Sequence, residues 1–130
     1  MKKKILIADD QDEIRELLQV TLEFDNYQTF TAKNKQQALE IAQAEHPALI
    51  LLDVMMPDSK DAGLEVCREL KNNPTTADIT IVMVSAKGQK NDIEAGTAAG
   101  ADAYFVKPFS PMALIQKVEE VMDDTVTAQY

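Results

Sequence analysis

The sequence predicts an α/β protein, a five-stranded parallel sheet doubly wound with five helices, and three observations lead there. Short apolar runs recur five times, at residues 3–8, 27–31, 48–52, 79–84 and 103–106, and each is followed by a stretch with helical spacing. The third and fourth runs, built on Leu49-Ile50-Leu51-Leu52 and on Ile79 to Val84, are apolar almost without interruption, as a strand covered on both faces requires. The chain has 130 residues and is 45% hydrophobic, enough for one core and too short for a second full domain.

The helices follow in order. After Asp12, the expected N-cap, Ile14, Leu17, Leu18, Thr21 and Leu22 repeat at the spacing of one buried face. Ala38, Ile41 and Ala42 mark the second helix. Gly63, Val66, Cys67 and Leu70 mark the third, which Asn72-Asn73-Pro74 stops. The fourth spans about residues 89–99, closes at Gly100, and has mostly alanine to bury. Ser110-Pro111, a cap followed by proline at the first helical position, starts the fifth, with Leu114, Ile115, Val118, Val121 and Met122 turned inward. One domain over residues 1–123 is expected, with 124–130 a tail or linker stub.

Composition removes several kinds of function. Thirteen Lys and Arg against 22 Asp and Glu give a net charge of −9, the wrong sign for gripping nucleic acid or a membrane surface. The basic start Met1-Lys2-Lys3-Lys4 precedes only four apolar residues, too few for a signal peptide, so a cytoplasmic protein is expected. Cys67, the single cysteine, excludes an internal disulfide and reads as a small core residue. His46, the single histidine, excludes a histidine-rich zinc site and, beside Pro47, reads as a helix cap. Gly63, Gly88, Gly96 and Gly100 fit no glycine-rich phosphate loop.

In a parallel sheet of this kind ligands bind outside the carboxyl ends of the strands. Those ends bear Asp9 and Asp10 after the first run, Asp53 after the third, Ser85 after the fourth, and Lys107 with Pro108 after the fifth. Three gathered carboxylates repel one another and need cations. Lys107 supplies one charge; a hard divalent ion suits the rest, and Mg²⁺ takes one or two carboxylates, a carbonyl and several waters.

Ile-Leu-Ile-Ala-Asp-Asp at 5–10, Leu-Leu-Asp-Val-Met-Met-Pro-Asp at 51–58, Met-Val-Ser-Ala-Lys at 83–87 and Gly-Ala-Asp-Ala-Tyr-Phe-Val-Lys-Pro-Phe at 100–109 resemble the receiver domain of bacterial two-component response regulators. The likeness runs from about residue 3 to residue 122. It implies the flavodoxin-like strand order 2-1-3-4-5 and makes Asp53 the phosphoacceptor, phosphorylated from a phosphohistidine on a sensor histidine kinase or histidine phosphotransfer protein. It further implies Mg²⁺ bound by Asp10, Asp53 and the backbone carbonyl of Met55, with Asp9 acting chiefly through water. Ser85 and Lys107 would hold phosphoryl oxygens, and a cis peptide would join Lys107 to Pro108. Ser85 and Tyr104 would form the switch that reshapes the face of the fourth helix, fifth strand and fifth helix for a downstream effector domain or protein.

This sequence departs from the usual receiver in places. The segment between Pro57 and Leu64 is about two residues longer than usual, and the position of a common second acid in the fifth strand is Ala103. The fifth helix has Lys117 where DNA-binding receivers have arginines, so their ion-paired dimer is not expected. Met55 occupies the place where an aspartyl phosphatase of the dehalogenase type needs an acid. The acidic loop after the first run would repel the phosphate of a flavin. A phosphorylation-independent docking module is the remaining alternative, disfavoured because every site residue is present.

Overall fold

Period-two alternation along each strand decides how the apolar residues are shared between the two faces of the sheet. In the computed structural model, which describes residues 2–108 and 110–122, the elements are β1 (Lys4–Ala8), α1 (Asp12–Phe24), β2 (Gln28–Ala32), α2 (Lys35–Glu45), β3 (Leu49–Leu52), α3 (Ala62–Asn72), β4 (Thr80–Ser85), α4 (Lys90–Ala98), β5 (Ala103–Val106) and α5 (Pro111–Met122). All pairings are parallel and the order is β2-β1-β3-β4-β5, as the resemblance implied. Residue 1, Phe109 and the expected tail at 124–130 lie outside the described residues.

Ile5, Ile7, Leu49, Leu51, Val82 and Val84 face α1 and α5, where they meet Leu18, Leu22, Leu114 and Val118. Leu6, Ile50, Leu52, Ile81 and Met83 face α2, α3 and α4, where they meet Ala38, Ala42, Val66, Cys67 and Leu70. Each large aliphatic side chain buried this way is worth roughly 1.5–3 kcal/mol, so β1 and β3, enclosed on both faces, are the firmest part of the fold. The helix α4 is held least: Gly96 is its single buried residue, and Ile93 is 37% exposed.

The element ends differ from expectation by a residue, with local causes. Gln11, not Asp12, stands at the N-cap position of α1 and makes no side-chain cap bond, and the Asp12 carboxylate, inside the first turn, pairs with Arg15. Arg15 is buried while Leu17 is 44% exposed, so the buried stripe of α1 runs Arg15, Leu18, Leu22. At the end of α2, His46 adopts φ 45° and its amide donates to the Ala42 carbonyl, which makes it the cap expected. Gln89 and Asp92 form a reciprocal capping box on α4, and the Ser110 hydroxyl accepts from the Ala113 amide to start α5. Gly100, at φ +105°, makes the turn that ends α4, and the Lys107–Pro108 peptide is cis.

One close approach ties the fold to the end of β3. A Cβ on Gly63, at the start of α3, would lie 2.1 Å from the Asp53 carbonyl oxygen and 2.7 Å from the Val54 Cα. Backbone cannot yield as a side-chain tip can. Gly63→Ala is therefore expected to cost about 1–3 kcal/mol or more, read as a fall in urea midpoint, and to displace the Asp53 amide resonance. A variant as stable as the wild type would mean that α3 does not set the position of Asp53.

Candidate functional site

Sheet topology alone makes Asp9 and Asp53 neighbours. β1 and β3 pair in register, Ala8 beside Leu52, and the Asp53 amide donates to the Ala8 carbonyl at 2.9 Å, so the next residue of each strand stands at the carboxyl edge. Carboxylate oxygens of Asp9, Asp10 and Asp53 all lie within 4.8 Å of one another. Lys107 leaves the end of β5 and reaches over the small residues at the end of β4, placing its Nζ 2.9 Å from Asp9 Oδ2 and 2.9 Å from Asp53 Oδ2. Side-chain exposures of 12% for Lys107, 3% for Asp9 and 9% for Asp53 make this a buried bridge and not a pair on a solvated rim.

Every polar group of Asp9 is engaged. Its amide donates to the Ala32 carbonyl, its Oδ1 accepts from the Gln11 amide at 2.9 Å, and its carbonyl accepts from Arg15 at 2.8 Å. Asp53 Oδ1 accepts from the Met55 amide at 3.2 Å. Asp10 is exposed and, among the described residues, its carboxylate has no ion pair. Asp10, Asp53, Met55, Ser85 and Lys107 line one cleft of about 210 Å³, which brings the expected phosphoacceptor, metal and phosphoryl-binding residues together.

Burial raises the Asp53 carboxyl pKa above its ordinary value, and the Asp9 charge adds to that; the hydrogen bond and charge of Lys107 pull the other way without cancelling it. For Lys107, burial alone would lower the pKa, but the hydrogen bonds and charges of Asp9 and Asp53 together outweigh it and raise it. Three carboxylates against one ammonium leave a deficit of about two positive charges. Hard oxygen donors and that deficit fit a divalent ion such as Mg²⁺.

Ser85 is buried, and its hydroxyl accepts from the Lys87 amide at 3.1 Å. Tyr104 is half-buried with its ring against Gly96 of α4, and its hydroxyl donates to the Lys87 carbonyl at 2.5 Å. The two expected switch residues thus meet at Lys87. The Lys87 ammonium extends to the long β3–α3 loop, 3.5 Å from the Lys60 carbonyl and 3.8 Å from Asp61. On its other side that loop is held where Asp58 accepts from the Lys35 amide at 2.9 Å.

Sequence reasoning missed three residues here. Arg15 sits at the site's base, Gln11 accepts from Lys107 at 3.3 Å, and Lys87 joins Ser85 to Tyr104. Arg15 had a signal, since it shares a helical face with Leu18 and Leu22 and so interrupts an apolar stripe with a charge. The expected readings of Cys67 and His46 agree with the geometry: Cys67 is buried, its thiol pKa pushed up to about 11, and His46 Nε2 pairs with Asp78 at 3.0 Å, in the α3–β4 connection rather than at the site.

Comparison with known proteins gives one consistent result. The profile of the response regulator receiver domain family matches residues 5–119. The chain is 42% identical over 123 residues to the phosphate regulon transcriptional regulatory protein PhoB of Pseudomonas aeruginosa, covering 95% of this chain and 53% of that protein. It is 44% identical over 124 residues to the probable transcriptional regulator ycf27 of Cyanophora paradoxa, covering 95% and 50%. The chain therefore spans about half the length of the curated relatives it matches. Among solved structures, a CheY-like receiver domain protein of Methanospirillum hungatei superposes with a TM-score of 0.89 at 28% identity, covering 98% and 99% of the two chains. The chemotaxis response regulator CheY4 of Vibrio cholerae gives 0.86 at 29% identity, covering 93% and 99%.

The raised Asp53 pKa predicts a pH-dependent stability. Ionising Asp53 costs more in the folded chain than in the unfolded one, so the penalty is absent below the ordinary carboxylate pKa, grows as pH rises from there toward the folded value, and is complete above it. Asp53→Asn should raise the melting temperature in metal-free buffer at pH 7, with the gain fading as pH falls below about 4. A variant that melts lower than the wild type at pH 7 contradicts the assignment.

Proposed function

The chain belongs to the response regulator receiver domain family, and from that premise we propose that Asp53 accepts a phosphoryl group from a phosphohistidine on a sensor histidine kinase or histidine phosphotransfer protein. The observation behind this reading is the shared ammonium of Lys107, 2.9 Å from both Asp9 and Asp53. In the transfer a carboxylate oxygen of Asp53 bonds to phosphorus while the phosphorus–nitrogen bond to the donor imidazole breaks, and the imidazole keeps that electron pair and takes up a proton. Such a transfer asks the protein for alignment and for positive charge near the equatorial oxygens.

Lys107 favours the ionised form of Asp53 against its burial and can pass one N–H to a phosphoryl oxygen, and the Ser85 hydroxyl, in the same cleft, can donate to another. Mg²⁺ held by Asp10, Asp53 and the Met55 carbonyl, with Asp9 acting through water, would supply the remaining positive charge. The domain thereby assists its own phosphorylation and hydrolysis and serves as a signalling part rather than as an enzyme with a separate substrate.

Transmission follows from the Lys87 junction. A Ser85 hydroxyl drawn toward a phosphoryl oxygen gives up the Lys87 amide, and the same peptide segment accepts the Tyr104 hydroxyl. Tyr104 packs on Gly96, so a turn of the ring moves the least anchored helix, α4. A downstream effector domain or protein reads the altered α4–β5–α5 face.

Two experiments test this reading. With Mg²⁺ and acetyl phosphate, intact-mass measurement should show one added phosphoryl group, labile to hydroxylamine, and Asp53→Ala should show none; full incorporation in that variant overturns the assignment. With Mg²⁺ and beryllofluoride, a phosphoryl stand-in, amide shifts across α4 should be large in the wild type and reduced at least about twofold in Tyr104→Ala, which should still accept phosphate. Equal α4 shifts in both proteins remove the switch and leave the phosphoacceptor standing.

A further inference from the structure

We propose that Arg15 is a positioning residue for the cation site: its guanidinium pins the peptide between Asp9 and Asp10 and so sets where the Asp10 carboxylate stands. The inference rests on the reading that these aspartates hold a divalent cation. Arg15 is buried on the inner stripe of α1, an unusual place for a charge unless it is paired. One guanidinium nitrogen donates to the Asp9 carbonyl at 2.8 Å, and the other pairs with the Asp12 carboxylate. The Asp9 carbonyl lies one residue past the end of β1, beyond the sheet ladder, and Arg15 replaces the strand partner it lacks.

That one contact has reach. The Asp9 carbonyl and the Asp10 amide belong to the same rigid plane, so holding the oxygen fixes the direction in which the chain enters Asp10. Asp9 itself is already fixed by Ala32, Gln11 and Lys107. Asp10 has no ion pair of its own among the described residues, so its placement depends on the backbone that carries it. Asp12 neutralises the guanidinium from the far side, which limits the repulsion Arg15 would otherwise exert on a cation.

Position and charge predict opposite signs. A cation acting only through its field weakens Mg²⁺ binding, so its removal would tighten the site; a clamp strengthens binding, so its removal loosens it. Titration calorimetry with MgCl₂ on the whole chain, beside melting temperatures in metal-free buffer, separates the two. Arg15→Met is expected to raise the Mg²⁺ Kd about tenfold, and Arg15→Lys, which keeps the charge and one donor, should fall between. Should Arg15→Met fail to fold, the Arg15→Lys titration decides. An unchanged or tighter Kd in a folded Arg15 variant, with binding lost in Asp10→Asn, overturns the clamp alone. Binding undisturbed in Asp10→Asn overturns the cation reading and the clamp with it.

Discussion

Two carboxylates at the ends of adjacent strands share one ammonium, and most of what this molecule can do follows from that sharing. Asp9 and Asp53 stand side by side because β1 and β3 pair in register, and their mutual repulsion is met by Lys107 arriving from β5. Burial of all three side chains makes the pairing strong and its balance delicate, since each charge left uncompensated there costs far more than at a surface. Burial keeps the Asp53 pKa raised even with Lys107 in place, and three carboxylates face one ammonium, so the site is short of positive charge. That shortage suits it to a divalent cation on one side and to a phosphoryl group on the other.

The remainder of the fold serves to place these ends. The two cores, one under α1 and α5 and one under α2, α3 and α4, enclose β3 and all of β1 but Lys4 and leave the site little freedom at its base. Gly63 brings α3 against the Asp53 backbone, and Arg15 brings α1 against the Asp9 carbonyl. Rigidity ends at α4, whose inner face offers glycine and alanine where α1, α3 and α5 offer leucine or valine. The contrast between a firm base and a lightly held helix is what the proposed two-state surface beside the proposed phosphoacceptor requires.

Much of this was legible in the sequence, for physical reasons. Apolar runs ending in Asp9, Asp53, Ser85 and Lys107 disclosed both the strands and the edge on which polar groups gather, because a parallel sheet places every strand's carboxyl end on one side. The strand order needed the resemblance, since alternation alone does not say which strands are neighbours. Less visible was whatever depends on a single side chain crossing between elements. Leu17 fits the apolar spacing of α1 yet is exposed, while Arg15 takes an inner position and reaches the Asp9 carbonyl. Lys87 closes the Met-Val-Ser-Ala-Lys segment at 83–87, and its role as the meeting point of Ser85 and Tyr104 lies in its backbone, which no residue-type pattern announces.

The electrostatic balance at Asp53 is open to direct measurement by carbon-13 NMR titration of the aspartate carboxyl groups in metal-free buffer, in the wild type and in Lys107→Met. The account predicts that Asp53 titrates above the ordinary carboxylate value in the wild type and rises further in the variant, because the group that lowers it has gone. An Asp53 that titrates below the ordinary value, or that is indifferent to the loss of Lys107, would contradict the claim that one shared ammonium governs the site.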